Sequence, residues 1–311
     1  MAGDTRPLPR LLVTGAGGQL GSDLARVLDA DPRGLAWQGV TRAECDIADS
    51  HRVRAVLGDQ ARSAGEAGLV VINAAAYTDV DGAETDEAAA HAGNAAGPAH
   101  LAMVCDEIGA RLVHVSTDYV FSGDRESGAP PYEVDDPTEP RTAYGRTKLD
   151  GEQGVRLLLP ERGYIVRSGW LYGETGGNFV KTMLRLANER DTVDVVDDQH
   201  GAPTWTFELA ERLVTLALAD VPAGTYHCSA AGSATWFDVA RAVFAAAGHD
   251  PDRVRPTTTA AMARPAPRPA FSVLSARSWE DAGLPPLPEW TVSLARAMAR
   301  IGPALGVAPQ A

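Results

Sequence analysis

The strongest constraint on this 311-residue chain sits near its start. Leu11-Leu-Val-Thr14 is a short apolar run that stops at Gly15-Ala-Gly-Gly-Gln-Leu-Gly21. Leu20, Leu24, Val27 and Leu28 then recur at helical spacing. Buried strand, glycine loop and helix, in that order, are what a dinucleotide-binding turn needs. Gly15 permits the tight turn out of the strand, Gly18 lets a pyrophosphate approach the backbone, and Gly21 lets helix and strand pack closely. The helix N-terminus offers unpaired N–H groups and a positive dipole end to phosphates.

The following segments continue the pattern. Strands are expected over 34–40, 69–73, 111–116 and 164–168, with an alanine-rich helix over 88–108 that can break at Gly97-Pro98. Strands alternating with helices at these distances give a parallel sheet wrapped on both faces. The fold class is therefore α/β, a Rossmann-type doubly wound parallel sheet with a smaller mixed α/β substrate lobe. Residues 1–165 would form the dinucleotide-binding domain. Residues 166–311 would form mainly the substrate lobe, with some segments free to return to the first domain. In that second part, helices are expected over 178–187, 205–218, 236–247 and 290–301, and strands over 193–196 and 225–229. The proline-rich stretch 256–269 should be irregular. The long loop over 117–141 is of a length that usually carries function.

Tyr144 and Lys148 lie four apart on a helix and share one face. An ammonium held near a phenol favours phenolate and lowers the phenol pKa. Such a tyrosine can hand a proton to a developing alkoxide. At the end of the second strand, where an acidic ribose partner is usual, the chain carries Arg42. A cation there suits a 2′-phosphate and hence NADPH, with NADH left open and a solvated loop charge as the plain alternative.

The net charge of −13 argues against a nucleic-acid partner, which needs a basic face. An anionic small ligand fits if a few cations line its pocket, and Lys181, Arg185, Arg264 and Arg268 are the candidates. Cys45, Cys105 and Cys228 are odd in number and far apart, as expected of buried thiols in a reducing cytosol. The first ten residues lack the apolar core of a signal peptide, and no apolar run reaches membrane-spanning length. A cytoplasmic protein without a membrane partner is expected, as a monomer or homodimer.

Four segments resemble the extended short-chain dehydrogenase/reductases: Thr14-Gly-Ala-Gly-Gly-Gln-Leu-Gly21, Asn73-Ala-Ala-Ala-Tyr-Thr-Asp-Val80, Ser116-Thr-Asp-Tyr-Val-Phe121 and Tyr144-Gly-Arg-Thr-Lys-Leu149. Arg167-Ser-Gly-Trp-Leu-Tyr172, Gly177-Asn-Phe-Val180, Asp198-Gln-His-Gly-Ala-Pro-Thr204, Arg264-Pro-Ala-Pro-Arg268 and Ser272-Val-Leu274 narrow the resemblance to the dTDP-4-dehydrorhamnose reductase family. It spans about residues 11–300. The resemblance implies a reduction of a dTDP-sugar ketone by NAD(P)H. It places Gly18, Gln19 and Leu20 at the cofactor pyrophosphate, Asp46 and Ile47 at adenine, and Ala74, Ala75 and Ala76 beside the cofactor. It makes Tyr144 the proton donor, Lys148 its partner and ribose anchor, and Thr117 a hydrogen-bond donor to the same substrate oxygen. Asp118 and Trp170 would touch the sugar, and Asn178, Phe179 and Lys181 would face the nucleotide end. Mg2+ is admitted by the resemblance alone.

Other readings stay open from the residues. His114, in an apolar strand, reads as a satisfied core histidine. Trp170 and Phe179 suit core packing as well as a ligand platform. Glu133-Val-Asp-Asp136 reads as a solvated turn or a gating loop. Asp194, Asp197 and Asp198 invite a metal reading, but no ligand set is legible.

Overall fold

Alternation decides where each strand of the N-terminal half packs. In β1 (Arg10–Thr14), Leu11 and Val13 enter one apolar cluster and Leu12 enters another, so both faces are covered. Edge strand β2 (Trp37–Val40) adds Val40 to the second cluster, β3 (Leu69–Asn73), β4 (Arg111–Thr117) and β5 (Gly163–Ser168) alternate as β1 does, and edge strand β6 (Gly224–His227) adds Tyr226 to the first. These form one parallel sheet of order β2-β1-β3-β4-β5-β6. The structure, a computed structural model, describes residues 7–304.

One face of the sheet is covered by α1 (Gln19–Asp29), through Leu20, Leu24 and Leu28. The other is covered by α2 (Ser50–Ala64), α3 (Gly97–Glu107) and α4 (Ala143–Leu158), through Val53, Leu57, Leu101, Cys105 and Val155. The second half of the chain contributes α5 (Phe179–Glu189), α6 (Thr206–Leu218), α7 (Trp236–Ala246) and α8 (Trp290–Ala304). Strand β6 pairs with β5, and Leu209, Leu213 and Val214 of α6 join the cluster around Leu24. A third cluster, built from Val180, Leu184, Val239, Phe244 and Leu294, holds the smaller lobe.

Two local outcomes differ from simple pattern reading. The helix over 88–108 does not break at Gly97-Pro98; Glu87–His91 and Gly97–Glu107 are joined by a π-helical turn, Ala92–Ala96. Buried Asn94 on that turn accepts from the Tyr77 N–H (2.9 Å) and donates to the Tyr77 carbonyl (3.0 Å) and the Thr147 hydroxyl (3.2 Å). Side-chain demands of this kind stabilise a widened turn. The stretch 256–269 is irregular only from residue 258, because Val254–Thr257 pairs in parallel with Val193–Val196. The three cysteines are free and buried. Among the described residues no helix is long and apolar enough to cross a membrane.

Candidate active site

A sheet ordered this way reverses direction between β1 and β3, and ligands of open α/β sheets bind at the carboxyl ends of strands flanking such a point. A cleft of about 610 Å³ opens there. The glycine loop forms one wall with Gly15, Gly18, Gln19 and Leu20, and Ala74, Ala75 and Ala76 after β3 form another. Gly15 has φ +72°, and a Cβ there would meet the Ala75 nitrogen at 2.6 Å, so only glycine fits. Gly21 lies beneath the wall: a Cβ would meet the Gly15 carbonyl oxygen at 2.1 Å, which explains the close helix–strand approach.

The far wall comes from β4 and α4. Thr142 caps α4 by accepting the Gly145 N–H at 2.9 Å, and Glu84 accepts the Ala143 N–H at 2.9 Å. The helix start is thereby fixed, with Tyr144 in its first turn and Lys148 one turn on. Both line the cleft with Thr117, Asp118 and Trp170. Tyr144 and the Thr117 hydroxyl line the same wall, and that hydroxyl donates to Asp118 Oδ1 at 3.0 Å. The Lys148 ammonium is buried and donates to the Val115 carbonyl at 2.7 Å.

Burial sets the electrostatics. It pushes the Tyr144 phenol up to about 12, opposed by the Thr117 hydroxyl and reinforced by the Asp118 charge. This direction is opposite to the one expected from the Tyr-x-x-x-Lys spacing. Desolvation dominates, and the Lys148 ammonium is engaged by a main-chain carbonyl. Burial likewise pushes Lys148 down to about 8, with Glu152 opposing. Asp118 is raised to about 6 by burial, against hydrogen bonds from Ser272, Thr117 and the backbone. His114 is a core residue: its Nδ1 faces the Asn73 amide at 2.9 Å, and burial holds it neutral.

Behind Lys148 lies a buried ion pair that pattern reading did not find. Arg167 Nη2 meets Glu152 at 2.8 Å, with side-chain exposures of 1% and 0%. Ser116, next to Thr117, donates to the same carboxylate at 2.6 Å, and Arg156 reaches it from the surface at 2.5 Å. Glu152 follows Lys148 by one turn of α4, but its partner Arg167 lies on β5, so local spacing does not reveal the pair.

The cleft shares Tyr119 and Trp170 with a second cavity of about 690 Å³, walled also by Phe179, Met183, Trp236, Arg264 and Arg268. Trp170 is the one non-glycine with positive φ (52°) among the described residues, and its ring stacks on Trp236 at 3.6 Å and 3°. Strain of that kind persists where the surroundings fix it, commonly at ligand sites. Phe179 also packs against Trp236, with ring centroids 4.5 Å apart. Tyr119 meets the Tyr144 ring edge-on at 5.6 Å. Tyr119 and Trp236 were not singled out from sequence.

Residues 9–302 match the family model described as RmlD substrate binding domain. A dTDP-4-dehydrorhamnose reductase from Streptomyces griseus is 50% identical over 93% of this chain and 92% of its own length. The chain belongs to the dTDP-4-dehydrorhamnose reductase family. A crystal structure of a Bacillus anthracis family member in complex with NADP is 35% identical, with a TM-score of 0.86 over 94% of this chain and 99% of that one. A probable dTDP-4,6-dihydroxy-2-methyloxan-3-one 4-ketoreductase from Streptomyces antibioticus is 46% identical over 93% of this chain and 94% of its own.

Several residues expected at the reductase site lie away from the main cleft wall. Arg42, 87% exposed, pairs with Asp46 at 3.1 Å beyond the end of β2, and Ile47 is buried against Gly97. Asn178 caps α5 by accepting the Lys181 N–H (3.0 Å) and ties it to the glycine loop by donating to Gln19 Oε1 (3.2 Å). Lys181 is spent on the Glu174 and Gly176 carbonyls, both at 2.9 Å, and Arg185 on Glu189 at 2.5 Å. Arg264 and Arg268 do reach the second cavity. Among the described residues no group of three or more His, Cys, Asp or Glu side chains is placed to hold a metal. Asp198 is taken by Thr259 and Asp197 by Thr235.

Proposed function

We propose that this chain reduces the 4-keto group of dTDP-4-dehydro-L-rhamnose to dTDP-L-rhamnose, with NADPH as reductant and NADH as the weaker alternative. The observation that carries the reading is the convergence of Tyr144, Thr117 and Lys148 on one cleft that shares its wall with a second, larger cavity. The glycine loop fits a pyrophosphate: its backbone approaches where no side chain would. Gly15, Gly18, Gln19 and Leu20 would hold the cofactor there, Ala74 to Ala76 would flank it, and Arg42 with Asp46 and Ile47 would face its adenosine end. When bound, NADPH supplies the hydride that reduces the ketone carbon.

The chain's own work is at the ketone oxygen. Thr117 turns its hydroxyl to that oxygen and stabilises the growing negative charge. Tyr144 gives it a proton, and a phenol protonated across the neutral range is the right donor for reduction. Lys148 anchors the nicotinamide ribose. Asp118 and Trp170 contact the sugar. The nucleotide end occupies the second cavity beside Phe179 and Trp236, and the diphosphate is met by Arg264, since Lys181 is already engaged.

The 4-ketoreductase relative, 46% identical, keeps a second reading open: the same chemistry on another dTDP-deoxysugar. A non-catalytic cofactor-binding role is disfavoured by the assembled Tyr144, Thr117 and Lys148. NADPH and NADH oxidation with a panel of nucleotide 4-keto-sugars tests all three. Turnover with the rhamnose precursor is expected; turnover only with another sugar moves the assignment, and none at all removes catalysis. We also propose a cytoplasmic setting, as a monomer or homodimer; three buried free thiols suit a reducing compartment.

A further inference from the structure

The segment 262–270 forms one side of the second cavity and carries prolines at 265, 267 and 269. Proline in alternate positions fixes φ and keeps such a strap extended and stiff. It is tied at both ends. Before it, Thr259 donates its backbone N–H and hydroxyl to Asp198, the latter at 2.6 Å. After it, the His200 N–H donates to the Ala270 carbonyl (2.8 Å) and the Phe271 N–H to the Gly123 carbonyl (3.0 Å).

Between those ends one carboxylate holds the strap across the cleft. Asp81 accepts the Ala266 N–H at 3.1 Å and an Arg268 N–H at 2.8 Å, and its second cationic neighbour, Arg264, stands at 3.6 Å. Asp81 belongs to the other side of the site, in the short helix Val80–Ala83, where Val80 and the preceding Thr78 line the cofactor cleft. The roof of one cavity is thus fastened to the wall of the other. Two guanidinium groups share one carboxylate, which leaves a positive surplus at the rim. The two cations are unequal: Arg268 is 16% exposed and closely bonded, whereas Arg264 is 56% exposed and loosely held.

We propose that Asp81 is a latch and a positioning residue: it fixes the strap and Arg268 over the nucleotide-sugar cavity and leaves Arg264 to swing onto the substrate diphosphate. The inference rests on the reading that the second cavity takes the nucleotide end. In the closed complex the diphosphate takes over Arg264 while Asp81 keeps Arg268, so each anion has its own cation. Asp81 thereby tunes substrate affinity without touching the reacting atoms.

The test uses Asp81→Asn, which keeps the shape and removes the charge, with dTDP as the calorimetric probe and steady-state kinetics beside it. Loss of a partly buried, charge-assisted tie should raise the dTDP Kd and the sugar-nucleotide KM by about tenfold. The kcat and the NADPH Kd should not move, and Asp81→Glu should recover most of the affinity. In Asp81→Asn combined with Arg268→Gln, the loss should fall well short of the two single losses multiplied together, since their shared contact is removed in both. Unchanged or tighter dTDP binding in Asp81→Asn, or additive losses in the double variant, would overturn the latch. Trp236→Ala separates the two levels. If it weakens dTDP binding while Asp81→Asn does not, the latch alone fails. If it leaves dTDP binding intact, the cavity assignment fails and the latch with it.

Discussion

Replacing Tyr144 with Phe deletes one oxygen and little else. The ring keeps its edge-on contact with Tyr119 at 5.6 Å, and α4 keeps its Thr142 cap. The neighbouring Thr117 hydroxyl retains Asp118 as its acceptor at 3.0 Å. Folding stability should therefore fall by no more than about 1 kcal/mol. The chemical loss is larger, because the ketone oxygen is left without its proton donor. A positioned acid contributes roughly 10²–10⁴ in rate, or about 3–5 kcal/mol of barrier. The expected result is a kcat lower by that factor, with NADPH Kd and substrate KM within about threefold of the parent, since the lost interaction belongs to the transition state. Stopped-flow NADPH oxidation and fluorescence titration of the cofactor measure the two quantities separately. Adding Thr117→Val should cost less than the product of the single losses, because both hydroxyls serve one oxygen. A near-normal kcat in Tyr144→Phe would refute the mechanism, and loss of cofactor binding with unchanged kcat would make the tyrosine structural.

Lys148→Met should raise the NADPH Kd and lower kcat together. The Lys148 charge is lost as pH rises through about 8, so NADPH binding to the parent should weaken over that interval, while Lys148→Met shows no such pH dependence. Arg264→Ala should raise the substrate KM several-fold, about 1 kcal/mol, and leave NADPH binding unchanged in the same titration. Glu152→Gln leaves a guanidinium 1% exposed without its counter-charge; it should cost about 3–5 kcal/mol and lower Tm by roughly 5–15 °C in a thermal melt. Gly15→Ala should abolish cofactor binding in calorimetry, because its Cβ would sit 2.6 Å from the Ala75 nitrogen.

What was legible in the sequence was whatever depends on local spacing. The strand–glycine–helix unit at residues 11–28 needs only neighbours, and the Tyr144–Lys148 pair needs only one turn of helix. What escaped depends on chain segments brought together from afar. Arg167 and Glu152 sit on different elements, and nothing in either segment marks the pair as buried. Trp236 reads as an ordinary amphipathic helix residue until Trp170 is laid against it. The cations of the second half illustrate the same limit. Lys181 and Arg264 are equally basic in sequence, yet the first is consumed by two carbonyls of its own loop.

The raised Tyr144 pKa also bears on direction. Were the phenol mostly ionised near neutrality, the resting enzyme would hold a base, suited to pulling a proton from an alcohol. At about 12 it holds an acid instead, loaded across the whole working range. An alkoxide forming at the ketone oxygen is far more basic than a phenolate, so proton transfer from Tyr144 is still downhill. Lys148, poised near 8 against the Val115 carbonyl, need not ionise the phenol in the empty cleft. Its task falls after the proton has moved, when a phenolate is left in a buried site and an ammonium lining the same cleft lowers its cost. A phenol kept protonated by burial is loaded to donate to a ketone oxygen, with the Lys148 ammonium lining the same cleft.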